Sequence, residues 1–297
     1  MTDPLDALRT PVTPVDPDPG FAEALRARLR RVLLDRRGEP TMTTNSTSTA
    51  PSAPPAARPQ GRLGYVSLWV PDAEATAALM AAALGWTYAG GRGHRMVAGA
   101  EPHHGIVDLA ALPAGVWDDW PRHATLSTTH AVDDVDAAVE RVRSAGGRAE
   151  QPTEQPWGRT AGCADDQGMP FAIYEDGGAV PQHPAAREPG RLAYVTIEAV
   201  DSALARAFYG AVFGWRFLAG PVPDAWEAEG VRPMIRLHGG HERATVVPMY
   251  AVDDVHAAAA LVRAHGGTAT APERRRHGTL SFCADAAGTR FGLGRFG

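Results

Sequence analysis

From residue 61 onward the apolar positions of the chain change period in a fixed order, and they do so twice. YVSLWV (65–70) and YVTIEA (194–199) are short runs rich in β-branched and aromatic residues, the composition of a strand. The period then lengthens to that of a helix. Leu204, Ala207, Phe208, Ala211 and Val212 form one stripe at i, i+3, i+4, i+7 and i+8. Asp72 and Asp201 stand where a side-chain oxygen would accept from first-turn amides, and Gly85 and Gly214 where a left-handed residue closes a helix. Strand candidates HGIVDLA (104–110) and VRPMIRL (231–237) follow. A second helix is expected over 134–145 and 254–265, with stripes Val135, Ala138, Val139, Val142 and Val255, Ala258, Ala259, Val262. The last strands lie near PFAIYE and RFGLGR, so each unit reads β-α-β-β-β twice, an α+β pattern with helices against antiparallel sheets.

The two units are copies. GRLGYVSLWVPD (61–72) returns as GRLAYVTIEAVD (190–201) at a shift of 129, as does Gly85–Trp86 at Gly214–Trp215. AVDDVDAAVERVRSAGG (131–147) returns as AVDDVHAAAALVRAHGG (251–267) at a shift of 120, so the first copy carries nine extra residues between 86 and 133. A unit of about 110 residues is domain-sized rather than a solenoid repeat. Domains are expected at 61–176 and 190–297, joined by a linker at 177–189. Before them, 1–20 should be irregular and FAEALRARLRRVLLDRR (21–37) has the period of a short amphipathic helix, docked on the body or on a membrane surface or partner. Residues 38–60 form a polar, Pro-rich linker, expected to be disordered. The acids of the two AVDDV phrases read as helix caps, since the alternating acids and distal Glu of a calcium loop are absent.

Composition narrows the function. The balance of 44% apolar and 21% charged residues is that of a globular protein, and a net charge of −5 gives no bulk attraction for nucleic acid or anionic membrane. All 29 basic residues are Arg, which removes Schiff-base, P-loop and Ser–Lys chemistry. Two cysteines are too few for a disulfide scaffold or a Cys-based zinc site. Cys163 and Cys283 fall at what reads as the start of the last strand, and Asp165, Asp166 and Asp285 beside them disfavour a thiolate, so both read as small core residues. No apolar run reaches a membrane span and the N-terminus lacks a secretory core, so a cytoplasmic location is expected. His103–His104 and HGGHE (238–242) read as exposed turn histidines. ERRRH (273–277) reads as a solvated loop face, with an anionic ligand or partner as the alternative. No nucleophile elbow, dinucleotide fingerprint or triad is present.

Taken in order, FYGAVFGW (208–215), the doubled AVDDV phrase, ADDQGMPFAIYE (164–175) and ADAAGTRFGLGR (284–295) resemble the vicinal oxygen chelate superfamily of glyoxalases, bleomycin-resistance proteins and extradiol dioxygenases. The resemblance covers 61–176 and 190–296 and is most similar to tandem, metal-lacking, glyoxalase-like proteins. It implies two domains, each of paired βαβββ modules forming a curved, mostly antiparallel sheet around a cavity, with the two domains pairing within the chain. Enzymes of the family place a metal on a His of the first strand, a His or similar residue of the strand opening the second module, and a Glu of the last strand. Here those positions hold Tyr65 and Tyr194, about Ser127 and Val247, and Ala172 and Gly292, none a good ligand for a hard cation. No metal and no cofactor are therefore expected.

The resemblance leaves a pocket. Strand alternation places Tyr65, Ser67 and Trp69 on one face, Tyr194, Thr196 and Glu198 on its counterpart, and Ala172 with Tyr174 and Arg290 with Gly292 on the last strands. Ala172 and Gly292 are expected to enlarge the cavity, and Trp117, Trp120, Trp157 and Trp226 to rim it. Glu198, the one acid pointing inward, needs a partner. The expected function is metal-independent binding of a small, partly aromatic organic molecule, with a sequestering, biosynthetic or resistance role. The alternatives are a glyoxalase- or dioxygenase-type enzyme, with Glu198 or a Tyr hydroxyl as acid–base, and an interaction protein with vestigial cavities.

Overall fold

The computed structural model describes residues 60–91, 93–100, 102–111, 125–155, 158–175 and 188–297. The helix expected at 21–37, nearly all of both expected linkers, and Trp117, Trp120 and Trp157 lie outside these residues.

The first half runs β1 (Arg62–Val70), α1 (Ala73–Leu84), β2 (Tyr88–Ala89), β3 (His94–Val97), β4 (His103–Asp108), β5 (Thr125–Val132), α2 (Val135–Ser144), β6 (Arg148–Ala149), β7 (Thr153–Gln155), β8 (Gly158–Ala164) and β9 (Pro170–Glu175). The second repeats it as β10 (Leu192–Glu198), α3 (Ser202–Phe213), β11 (Phe217–Ala219), β12 (Ala225–Ala228), β13 (Met234–His238), β14 (Thr245–Ala251), α4 (Val255–Ala264), β15 (Thr268–Ala269), β16 (Glu273–Arg275), β17 (Gly278–Ala284) and β18 (Arg290–Phe296). The described strands form two open, mixed sheets, β2-β3-β4-β1-β5-β9-β8-β6 and β11-β12-β13-β10-β14-β18-β17-β15, with β7 on β8 and β16 on β17. Each sheet is two βαβββ modules, the second enlarged by one short strand. Their first strands meet antiparallel (β1 with β5, β10 with β14), and each first strand runs parallel to its own module's last. The fold is α+β.

The helix ends follow the expected chemistry. Asp72 accepts from Glu74 and Ala75 amides, and Asp201 from Ala203 and Leu204. Within each AVDDV phrase the second acid is the cap: Asp134 accepts from Ala137, and Asp254 from His256 and Ala257. Gly85 and Gly214 close α1 and α3 at φ 71° and 72°. Helices α2 and α4 bury the stripes read from the sequence. Helix α3 does not: it buries Ala205, Phe208, Tyr209, Val212 and Phe213 and leaves Leu204 and Ala207 exposed. Two large rings outweigh Leu204 and the alanines, because Tyr209 and Phe213 pack against the first half.

The halves grip each other reciprocally. Trp86 Nε1 donates to Gly190 O at 2.8 Å, and Trp215 Nε1 donates to Gln60 O at 3.1 Å. Gly190 and Gly61 are held at φ 79° and 78°, and a side chain at Gly61 would press into Phe213 and Trp215, so only glycine fits there. Thr76 donates to Asp285 Oδ2 at 2.7 Å, and Tyr209 to Asp165 Oδ2 at 3.0 Å. The other oxygen of each aspartate accepts two amides of its own turn, Gln167 and Met169 or Ala287 and Thr289. The recurrent D-x-x-G phrase is thus a turn and a docking receptor together. Trp86 meets Tyr250 at 5.1 Å between centroids and His130 meets Phe213 at 5.0 Å, within one apolar core that spans both halves.

Two expectations are corrected. Cys163 and Cys283 end the penultimate strands β8 and β17, not the start of the last, because the D-x-x-G turn separates them from it. Both are buried, which pushes their thiols up to about 12 and about 11. His103–His104 opens β4 rather than a turn, and His104 is buried against Trp86 and Tyr250. Among the described residues, no helix is long and apolar enough to cross a membrane.

Candidate functional site

Alternation along the central strands gives each sheet a helix-covered face and an opposite face. On β1, Val66, Leu68 and Val70 join the core, while Tyr65, Ser67 and Trp69 point the other way. On β10, Val195 and Ile197 are core and Tyr194, Thr196 and Glu198 share the opposite face.

In the first sheet the described side chains of that face engage one another. Tyr65 Oη sits over Gly105, where any Cβ would collide with it, and lies 3.3 Å from His94 Nε2. Trp69 Nε1 donates to Ser67 Oγ at 2.9 Å, and the Tyr174 ring end occupies the space beside Gly64. The register puts Tyr65 opposite Thr129 and Thr129 opposite Ala172. Ser127 lies two residues along, opposite Ser67. A register shift between Leu63 and Tyr65 moves this pairing, and its equivalent between Leu192 and Tyr194 sets Tyr194 opposite Met249, Met249 opposite Gly292, and Val247 opposite Thr196. Thr129 and Met249 are the residues that sequence reasoning misses, since cross-strand register is not marked in the residue pattern.

In the second sheet the opposite face divides into two regions. At one end Glu198 is buried and takes both terminal nitrogens of Arg290, at 2.6 and 2.8 Å. His241 Nδ1 lies 3.5 Å from Glu198 Oε2, and its Nε2 lies 2.9 Å from His238 Nδ1. The HGGHE histidines are therefore half-buried members of a polar chain, not free turn residues. At the other end lies a cavity of about 1400 Å³, floored by Tyr194, Met234, Leu280 and Phe296. Arg236 lies over the Tyr194 ring at 4.3 Å, and burial pushes the Tyr194 hydroxyl up despite that cation. The ERRRH segment lines its mouth.

Gly292 does not enlarge this cavity as expected. Met249 lies against it, with Sδ 2.7 Å from where a Cβ would stand and Cε closer still. Likewise the Phe296 ring occupies the space that a side chain on Gly294 would need. Trp226 leaves the rim altogether: it pairs across the strands with the core residue Leu237, on the helix-covered face, and Arg206 of α3 lies 3.7 Å over its ring.

The comparisons agree with this architecture. Residues 62–173 match the Glyoxalase/Bleomycin resistance protein/Dioxygenase superfamily. The Mn(II)-bound glyoxalase from Novosphingobium aromaticivorans superposes with a TM-score of 0.59 at 17% identity, over 79% of this chain and 82% of that one. Homoprotocatechuate 2,3-dioxygenase from Arthrobacter globiformis gives 0.58 at 18% identity, over 82% and 81%. A variant of 4-hydroxymandelate synthase from Streptomyces coelicolor gives 0.52 at 15%, over 79% and 92%. Residues 62–173 thus match this superfamily, and the chain shares the fold of its glyoxalases and dioxygenases. No curated protein matches it in sequence.

Where a vicinal oxygen chelate enzyme would carry metal ligands, the residues present do not fit a divalent cation. The cross-strand rows are Tyr65, Thr129, Ala172 and Tyr194, Met249, Gly292, with neither carboxylate nor imidazole. A thioether is a soft donor, and Ala and Gly have no side-chain donor. Among the described residues, no three His, Cys, Asp or Glu side chains converge as ligands would.

Proposed function

We propose that this protein binds a small, partly aromatic organic molecule without a metal, in the cavity of its second sheet. The observation that carries the reading is the contrast between the two sheets. Among the described residues, Tyr65, Trp69 and Tyr174 of the first sheet are engaged with neighbouring groups of their own face, whereas the second sheet holds a cavity of about 1400 Å³ over Tyr194 and Phe296. The Tyr194 and Phe296 rings on the floor offer a planar ligand a stacking surface. Of the residues assigned to the pocket from sequence, Tyr194 contacts it directly. Gly292 acts one layer below, by admitting Met249. Glu198 and Arg290 form the polar end of the same face, and the bidentate pair leaves the Glu198 carboxylate engaged rather than free to move a proton. Sequestration, resistance or a biosynthetic role would each use such a pocket, and a cytoplasmic location fits all three.

Two measurements test this. Elemental analysis of the purified protein should find no stoichiometric transition metal. A thermal-shift screen of aromatic metabolites and antibiotics should yield a stabilising compound, by about 2.7 kcal/mol at 100 times its dissociation constant. Stoichiometric Fe, Mn, Ni or Zn, or a screen without any stabilising compound, would overturn the reading.

A further inference from the structure

The net charge of the chain is −5, yet the cavity of the second sheet is walled by arginine. Arg191, Arg232, Arg236, Arg295 and the consecutive Arg274–Arg276 all line it, against one acidic side chain, Glu227. They come from four separate places in the chain: the entry to β10, the segment entering β13 and that strand itself, the β16–β17 hairpin, and the end of β18. Like charges gathered from four places repel one another and gain nothing for the fold, so their convergence calls for a charge that is not part of it.

The local carboxylates supply that charge only in part: Asp254 acts electrostatically on Arg295. Glu273 pairs with Arg275 at 2.6 Å, and Glu188 with Arg191 at 3.5 Å. Among the described residues, no carboxylate forms an ion pair with Arg232, Arg236, Arg274, Arg276 or Arg295. Glu227 stands opposite Arg236 across β12 and β13, but no ion pair joins them. Arg236 is also half-buried and stacked on Tyr194, so its planar fork is held in place over the cavity floor. A fixed guanidinium without a carboxylate is a receptor for a planar oxyanion. The floor beside it is aromatic, with Tyr194 and Phe296 edge to face at 6.1 Å.

We propose that the cavity takes an aromatic compound carrying two or more negative charges, as carboxylates or a phosphate. Its ring lies against Tyr194 and Phe296, and its anionic groups lie between Arg236 and the Arg274–Arg276 hairpin. This rests on the cavity being the ligand site and adds the charge class of the ligand. Two charges are required because the unpaired cations stand both on the cavity floor and at its mouth, and a monoanion would satisfy only one set.

The experiment is calorimetric titration of the full chain with a matched set: phenyl phosphate, phthalate, benzoate, benzyl alcohol, inorganic phosphate and a 20-residue single-stranded RNA, at low and high salt. The two aromatic dianions should bind tightest, and their affinity should fall as salt rises. Arg236→Gln, and separately the exposed pair Arg274→Ala with Arg276→Ala, should each weaken phenyl phosphate at least about tenfold. Arg216→Ala, on an exposed pair with Glu229 outside the cavity, should leave it unchanged. The hairpin pair guards against a folding defect at Arg236, because Arg274 and Arg276 are exposed. Benzyl alcohol binding as tightly as phenyl phosphate, and indifferent to these substitutions, would refute the charge assignment while leaving the binding cavity intact. Inorganic phosphate binding as tightly would refute the aromatic part, and RNA binding more tightly than any small molecule would replace the ligand by a nucleic acid. Binding by none of the set would overturn the cavity reading and the charge assignment together.

Discussion

The hydroxyl of Tyr209 lies 3.0 Å from Oδ2 of Asp165, so a helix of the second half completes the carboxylate that shapes a turn of the first. Burial raises the Asp165 carboxyl to about 6, outweighing the Met169 and Gln167 amides and the Tyr209 hydroxyl that favour its charged form. A carboxyl whose folded value is raised contributes stability that is fully present below about 3.9 and is lost as pH rises through about 6. Asp165→Asn should therefore gain on the parent as pH climbs from 4 to 6, by at most about 1.4 kcal/mol per unit. Urea unfolding of both proteins across that range measures it, and a difference that does not change with pH would count against the assignment.

The opposite slope belongs to His104 and His130. Burial holds both imidazoles down at about 4. Stability from a depressed histidine is present above its unfolded value near 6.5 and is lost as pH falls towards 4. His104→Phe keeps a ring against Trp86 and Tyr250 and removes that titration. Its stability relative to the parent should rise by about 2 kcal/mol between pH 7 and 5. An unchanged slope would mean that burial does not hold the His104 imidazole down.

The interlocked tryptophans should act alike. Trp86→Ala and Trp215→Ala each remove a buried indole and its bond to the other half, at a cost of about 3–5 kcal/mol. Trp86→Phe should cost less, since it keeps most of the packing and loses the donor to Gly190. Denaturant midpoints distinguish the three, and near-neutral alanine variants would show that the halves are held by other contacts.

Gly292 and Met249 should be energetically coupled. Gly292→Ala would push a methyl into the Met249 side chain and cost about 1–3 kcal/mol. In a Met249→Ala background the same change should cost less, by 0.5 kcal/mol or more, roughly the scale seen for residues in contact. Strict additivity would mean that Met249 does not fill this space in solution.

Arg290→Ala should destabilise by about 1–2 kcal/mol, a value kept low by the exposure of the guanidinium, because it leaves the buried Glu198 with only His241 nearby. Combined with Glu198→Gln, the loss should be smaller than the two single losses together. A double-mutant cycle with no coupling would dissolve the pair.

Much of the architecture was written in local chemistry. The doubled phrases, the caps at Asp72, Asp134, Asp201 and Asp254, and the stripes of α2 and α4 could all be read because each depends on neighbours in sequence. The face of α3 could not, because Tyr209 and Phe213 are drawn inward by a surface some 40 to 80 residues away along the chain. The cross-strand rows were hidden for the same reason: only the strand pairing sets Thr129 and Met249, rather than Ser127 and Val247, opposite Tyr65 and Tyr194. The arginines of the cavity were visible singly, but their convergence depends on register among strands that only the fold aligns.

The bonds from Trp86 to Gly190 and from Trp215 to Gln60 come from equivalent tryptophans and end one residue apart in the repeat, close to the pair that one half would make with a second copy of itself about a two-fold axis. A single-copy ancestor would bury that surface only by pairing two chains, at a strength set by their concentration. Fusion makes the pairing intramolecular and frees the copies from identity. One copy then sets Tyr65 over Gly105, while the other gathers positive charge around Tyr194. Such asymmetry is barred to any dimer of identical subunits.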